Sequence, residues 1–162
     1  TPMTVLRDIV VDGDTLTGSA MYFVHGATRP ADVGADKPDI LRFLDAVLGN
    51  SDRHGANWLL VGDGDVVAID HNRAFEYRPT TRPKTCWETE VDSIGAPAAL
   101  GPAFDRYRDL PADSLVGAVE GLLTPAQVDA FVAMRDRVVA RIRMRAERPG
   151  TPIPREDCPW EP

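Results

Sequence analysis

The chain reads LDAVLGNSDRHGANWLLVGDGDVVAIDHNRAF from residue 44 to residue 75. Two short apolar runs in this stretch flank a Gly-Asp-Gly turn. The Asp63-Gly64 pair in that turn is a strong signal for a β-hairpin. We therefore expect Trp58–Val61 to pair with Val66–Ile69, with a polar loop before the first strand.

The polar loop and the end of the second apolar run carry side chains that bind metals. Asp52 and Asn57 lie five residues apart, and Asp70 follows the second run. If the two runs pair, Asp70 faces the same cavity as the loop. Phosphoryl-transfer enzymes use such a group for a base and two metal ligands, and oxygen ligands suit magnesium or manganese. The simple alternative is that Asp, Asn and Gly only form the loop.

The motif D-R-H-x-x-N at residues 52–57, followed by A-I-D at residues 68–70, resembles the catalytic and metal-binding loops of atypical kinases. These include the phosphatidylinositol kinases, the HipA-like kinases and the secretory-pathway protein kinases. The resemblance implies that Asp52 is the catalytic base, that Asn57 and Asp70 bind the metal, and that magnesium or manganese acts with ATP. It also implies a reduced version of the large lobe of a kinase.

Three further side chains, two within this motif and one just after it, complete the candidate site. In the kinase-like interpretation, His54 orients Asp52 or the acceptor. Arg53 and Arg73 are predicted to bind the cofactor, because a guanidinium group can hold a phosphate or the carboxylate of a 2-oxo acid. The simple alternative for each arginine is an ion pair with a nearby Asp.

His71 departs from the kinase pattern, in which Gly often follows the metal-binding Asp. Asn72 tolerates a left-handed backbone, so the turn can form without that Gly. Two histidines and a carboxylate are also the ligands of non-haem iron oxygenases. His54, Asp70 and His71 therefore predict, as an alternative, an Fe(II) and 2-oxoglutarate enzyme that modifies a peptide. A non-catalytic pseudokinase module that only binds its partner is the third interpretation.

The residues before the motif lack the parts that cover ATP in a kinase. The 51 residues before Asp52 contain no G-x-G-x-x-G and a single lysine, Lys37. Kinases need a glycine-rich loop and a lysine to hold the phosphates. The resemblance is therefore to a truncated lobe, and we expect a partner lobe or a homodimer to complete the nucleotide site.

Composition restricts the class of protein. At 162 residues, the chain fits a single domain over residues 1–162. The net charge of −7 argues against a nucleic-acid partner. No apolar stretch approaches the roughly 18 residues that span a bilayer, and no signal peptide is evident, so we expect no membrane partner and a cytoplasmic location. The expected substrate is a protein, a peptide or a small molecule.

The remaining pattern predicts an α+β fold. Thr4–Val11 and Leu16–Val24 are expected to form an N-terminal hairpin, and Asp39–Leu48 a helix. The C-terminal half is predicted to be mostly helical, at Phe104–Tyr107, at Ser114–Leu123 and in a long helix capped by Thr124 with Pro125 at its first position.

Two further stretches of this half have sequence patterns that predict their exposure. The stretch from residue 77 to residue 92 is either an activation segment that could hold the acceptor or a solvated surface loop. The arginines of the long helix are expected on its solvated side: Arg135, Arg137, Arg141, Arg143 and Arg145.

Overall fold

A computed structural model describes residues 4–21, 23–30, 37–62, 65–75, 87–95 and 100–153. The chain divides into two compact units. The first unit comprises Thr1–Ala35 and His54–Asp70, and the second comprises Asp36–Arg53 and His71–Pro162. The elements are two antiparallel hairpins and five helices within the described ranges, with a helical C-terminal half. The predicted α+β class is confirmed.

The first unit contains both hairpins. Strands β1 (Thr4–Val11) and β2 (Asp14–Met21) pair antiparallel. Asp12 and Gly13 connect them, with φ of 52° and 90°. Positive φ at both turn residues matches the twist of a two-residue hairpin. The second strand begins and ends earlier than the predicted Leu16–Val24, because this two-residue turn starts the pairing at Asp14.

The second hairpin consists of β3 (Trp58–Val61) and β4 (Asp65–Ala68). The register runs from Trp58 opposite Ala68 to Val61 opposite Asp65, so the predicted pairing is confirmed. The Asp63-Gly64 turn lies outside the described residues. Thr28 forms an isolated bridge with Leu60 through two backbone hydrogen bonds of 2.8 and 2.9 Å.

The second unit contains the five helices. They are α1 (Asp39–Leu48), α2 (Trp87–Ser93), α3 (Gly101–Asp109), α4 (Ala112–Val119) and α5 (Pro125–Glu147). The bounds of α1 are those predicted from its apolar spacing. A capping box starts α5, in which Thr124 and Gln127 exchange hydrogen bonds.

The core of this unit is formed by apolar side chains from all five helices. Phe43 contacts Phe104 and Tyr107 edge to face, with ring centroids 6.0 and 5.2 Å apart. The buried members are Phe43, Ala46, Val47, Val91, Ile94, Leu100, Phe104, Leu115, Phe131, Met134, Val138, Val139 and Ile142. Burial of apolar surface contributes about 25 cal/mol per Å², so this core is the main stabilising contribution to the unit.

Three predictions for this half need correction. The surface-loop alternative for residues 87–92 is wrong because these residues form α2, with Glu88 and Glu90 buried; residues 76–86 lie outside the described ranges. Arg141 is buried, not solvated, because Asp92 and Glu88 pair with it. The helix expected to reach Leu123 ends at Val119, and Gly121 follows with φ of 74°.

Among the described residues, no helix has both the length and the apolar character needed to cross a membrane.

Candidate active site

The polar loop begins where α1 ends. Gly49 adopts a left-handed conformation with φ of 63°, which ends the helix. The Asn50 backbone N–H donates to the Asp45 carbonyl at 2.9 Å, and the Asn50 side-chain Nδ2 donates to Asp45 Oδ1 at 3.1 Å. The Asp52 N–H in turn donates to Asn50 Oδ1 at 3.4 Å. Asn50 therefore connects Asp52, which is half-buried, to the helix.

Arg53 is held by a carboxylate of α1. Its Nε lies 3.0 Å from Asp45 Oδ1, and its Nη2 lies 2.9 Å from the same oxygen. Both side chains have 0% exposure. This geometry favours the ion-pair alternative for Arg53, although the pair is buried and not at the surface. Its predicted contact with a cofactor stays a prediction.

Asp45 also contacts a second cation. Lys37 Nζ lies 3.1 Å from Asp45 Oδ2 and 2.7 Å from Glu90 Oε2. Arg42 Nη1 lies 3.8 Å from the same Glu90 oxygen. Charges of opposite sign thus alternate from Glu90 on α2, through Lys37 and Asp45, to Arg53. Burial of such charges requires this pairing, because an isolated charge loses its hydration.

The turn after Asp70 is attached to the same cluster. Arg53 Nη2 lies 3.0 Å from His71 Nδ1. A guanidinium can only donate, so His71 Nδ1 accepts and the proton of the neutral ring is assigned to Nε2. The Ala74 N–H donates to the His71 carbonyl at 2.9 Å, and the Phe75 N–H donates to the Leu48 carbonyl at 2.6 Å.

Left-handed conformations occur at Asp70 and Phe75, with φ of 55° and 64°, and not at Asn72. The turn therefore forms without Gly, but the position that we expected to absorb the conformation is different. Arg73 lies half-buried within this turn, and its cofactor role stays a prediction.

The β3–β4 hairpin positions two of the predicted metal ligands. The Ile69 N–H donates to the Asn57 carbonyl at 3.0 Å, which extends the pairing of Trp58 and Ala68 by one residue. Asn57 precedes β3 and Asp70 follows Ile69, so both lie at the same end of the hairpin. Asn57 is buried, whereas Asp70 is exposed.

His54 belongs to the same loop of the first unit. Its carbonyl accepts from the Asn57 N–H at 2.8 Å, and its Nδ1 accepts from the Ala56 N–H at 3.2 Å. The neutral ring therefore carries its proton on Nε2, as in His71. A histidine ligand needs a ring nitrogen with a free electron pair, and the Nδ1 pair of each ring is already used.

The predicted site residues are thus distributed over both units. His54, Asn57 and Asp70 belong to the first, and Asp52, Arg53, His71 and Arg73 belong to the second. The union of Asp52 with Asn57 and Asp70 in one site stays a prediction. In the described parts of the chain, no group of three or more His, Cys, Asp or Glu side chains could hold a metal. Metal binding by Asn57 and Asp70 stays a prediction.

The sequence interpretation missed Asp45, Asn50 and Glu90. One signal was available for Asp45: it lies four residues after Leu41, on the face of α1 that supplies the core. A carboxylate on an apolar helix face needs a buried cation. No local signal identified Lys37 or Arg53 as that cation.

Elements α1 and α2, the loop and the β3–β4 hairpin together match a known family. The model of the phosphatidylinositol 3- and 4-kinase family matches residues 39–102, which is less than half of the chain. No curated protein and no solved structure matches the chain. The match supports a kinase-like relationship and, at a coarse level, a kinase-like phosphotransferase.

Proposed function

We propose that the chain transfers a phosphoryl group from ATP to a protein, a peptide or a small molecule, with the help of magnesium or manganese. The observation that carries this proposal is the register of the β3–β4 hairpin, which brings Asn57 and Asp70 to one end. Both residues lie within the segment that matches the kinase family. An amide oxygen and a carboxylate are ligands that hard divalent cations prefer.

In this proposal each residue has a defined task. Asp52 accepts the proton of the acceptor hydroxyl, as a catalytic-loop Asp does in kinases. Asn57 and Asp70 hold the metal, which when bound neutralises negative charge on the phosphates. His54 keeps the loop in shape, because its backbone carbonyl and its Nδ1 accept hydrogen bonds from Asn57 and Ala56.

The histidine contacts support oxygen ligands over an iron centre. An Fe(II) site of His54, Asp70 and His71 needs one ring nitrogen from each histidine. Metal binding through Nδ1 would break the hydrogen bond from Arg53 or from Ala56, and binding through Nε2 would require another tautomer. Magnesium or manganese on Asn57 and Asp70 requires neither change.

The test is a phosphotransfer assay with ATP labelled at the γ-phosphate. The acceptors are the chain itself, a mixed peptide library and vesicles that contain phosphatidylinositol, the lipid in the name of the matching family. We expect Asp52→Asn, Asn57→Ala and Asp70→Asn each to lower transfer by about 100-fold or more. Asp65→Asn is the matched control, because Asp65 is an exposed carboxylate at the opposite end of the same hairpin.

Three outcomes would contradict the proposal. Full transfer by the Asp52→Ala, Asn57→Ala double variant would remove the assigned base and ligand. Binding of ATP and metal without transfer to any of the acceptors would favour the pseudokinase module. Consumption of 2-oxoglutarate that depends on added Fe(II) would favour the oxygenase.

A further inference from the structure

We propose that Asp45 and Arg53 are positioning residues, which together hold the Asp52 loop and the turn after Asp70 in their working conformations. The inference rests on the proposed function, because it assigns how that site is held. The evidence is the chain of buried contacts that runs from Lys37 to Asp45, Arg53 and His71.

The first step of the argument is the placement of Asp45. Its side chain has 0% exposure and accepts from Lys37, Asn50 and Arg53. Such a buried cluster is weak evidence for stability, because well-packed apolar residues often stabilise a fold as well or better. The charges do impose one geometry, because removal of Asp45 deprives both Lys37 and Arg53 of a carboxylate, and removal of Arg53 deprives Asp45 of a cation.

The second step is the geometry of Arg53. Its Nε and Nη2 contact Asp45, and Nη2 also contacts His71. A planar guanidinium fixes the direction of both contacts, which the point charge of a lysine cannot do. Arg53 directly follows Asp52, and His71 directly follows Asp70. These contacts therefore restrain the backbone next to two of the predicted catalytic and metal-binding residues.

The third step is the position of Arg53 and His71 in the chain. They are the residues at which the chain leaves the second unit and returns to it. Their contact joins these two points within that unit. Two backbone hydrogen bonds attach the same segments to α1. The Asn50 N–H donates to the Asp45 carbonyl, and the Phe75 N–H donates to the Leu48 carbonyl.

A second buried arginine provides a matched control. Arg141 on α5 donates to both Asp92 carboxylate oxygens, at 2.8 and 2.7 Å, and to Glu88 at 3.3 Å. It also donates to the Ile153 carbonyl at 3.3 Å. This cluster has a similar charge, and these contacts of Arg141 go to α2 and to Ile153. Asp92→Asn therefore weakens a comparable ion pair and leaves the pair of Asp45 and Arg53 in place.

The experiment compares the variants Asp45→Asn, Arg53→Lys and Asp92→Asn with the wild type, each as the whole 162-residue chain. We expect the first two to lower kcat by about 10- to 100-fold, with a smaller change in KM for ATP, because misplaced groups slow the chemical step. The double variant Asp45→Asn, Arg53→Lys should lower kcat little beyond the single variants, because both act through one contact. Asp92→Asn serves as the control in the exchange measurement.

Hydrogen exchange tests the same inference independently of activity. The reporters are four backbone amides that donate hydrogen bonds in the loop and the turn: Asn50, Asp52, Ala74 and Phe75. We expect faster exchange at both segments in Asp45→Asn and Arg53→Lys, and unchanged exchange there in Asp92→Asn. If the wild-type chain shows no phosphotransfer, the proposed function is refuted. The exchange measurement still tests this inference in that case.

Unchanged exchange at residues 71–75 in both variants would overturn the inference, as would wild-type kcat in an active enzyme. If Asp45→Asn yields no folded protein, His71→Leu replaces it, because that variant removes the contact between Arg53 and His71 Nδ1 and keeps the Asp45 and Arg53 pair. Wild-type exchange at residues 50–53 and 71–75 in His71→Leu would then overturn the inference.

Discussion

Phe75 shows how packing can impose a strained backbone on one residue. Its φ of 64° is uncommon for a bulky side chain. The ring meets Phe131 edge to face with centroids 5.4 Å apart, and the N–H donates to the Leu48 carbonyl. These contacts belong to the second unit and follow directly on the turn that carries His71. The strain is thus maintained by contacts distant in sequence, which no local pattern could indicate.

This strained backbone predicts that Phe75→Gly is more stable than Phe75→Ala, although Gly is usually the more destabilising replacement. Both Phe75→Gly and Phe75→Ala lose the ring, at a cost of about 3 kcal/mol. We expect the Gly variant to be the more stable by about 1 kcal/mol, because Gly, unlike Ala, adopts this conformation without strain. Urea unfolding measures the difference. Exposed Ala140 of α5 is the control position, where Ala140→Gly should lower the free energy of unfolding. A Phe75→Ala variant more stable than Phe75→Gly would contradict the prediction.

Tyr107 predicts a dependence on alkaline pH. Burial raises the pKa of its phenol above the ordinary value. Its hydroxyl has no hydrogen-bond partner among the residues that the structure describes. Because the pKa is raised in the folded state, the neutral form stabilises the fold below about pH 10, and this contribution is lost as the pH rises further.

We expect Tyr107→Phe to match or exceed the wild-type free energy of unfolding at neutral pH, by up to about 1 kcal/mol, because an unpaired buried hydroxyl is removed. Its advantage should grow between about pH 9 and pH 11, where the unfolded Tyr107 ionises. Chemical denaturation at several pH values measures both effects. An advantage that shrinks over this interval would contradict the assigned cause.

At the scale of elements, helices with local signals were predicted well. Helix α1 has a regular apolar face and ends at a left-handed Gly49, and α5 starts with a Thr124 cap and Pro125. Helix α2 was missed because its acidic residues resemble a solvated loop. Glu88 and Glu90 become acceptable in a buried helix only because Arg141 and Lys37 pair with them.

The capping box of α5 predicts the effect of one methyl and one hydroxyl group. Thr124→Ala removes the acceptor for the Gln127 N–H and should lower the free energy of unfolding by about 1 kcal/mol. Thr124→Ser keeps the hydroxyl and should retain most of the stability. Thermal or urea unfolding of both variants measures the difference, and equal losses would show that the hydroxyl does not cap the helix.

At the scale of the whole molecule, the ion pairs of Lys37 bear on nucleotide binding. Lys37 is the single lysine before Asp52, and it is engaged by Asp45 and Glu90. We therefore expect the isolated chain to bind magnesium-ATP weakly, because no other lysine of this segment can pair with the phosphates. Calorimetric titration measures the affinity, with Lys37→Gln as a variant that should not weaken it further.

Tight, stoichiometric binding to a chain shown to be monomeric by sedimentation would contradict this expectation. Affinity that rises with protein concentration would instead support the predicted homodimer contact. Neither result depends on the identity of the acceptor.

The sequence by itself determined the features that depend on neighbours along the chain. Spacing of apolar residues, turn residues and caps predicted α1, the two hairpins and the start of α5, and the loop motif identified Asp52, Asn57 and Asp70 as candidates. Only the tertiary structure decided how this loop is held. Arg53, predicted to face a cofactor, lies against Asp45 and His71, and α2 forms around buried carboxylates. Opposite charges distant in sequence can stabilise each other in the interior only after folding brings them together.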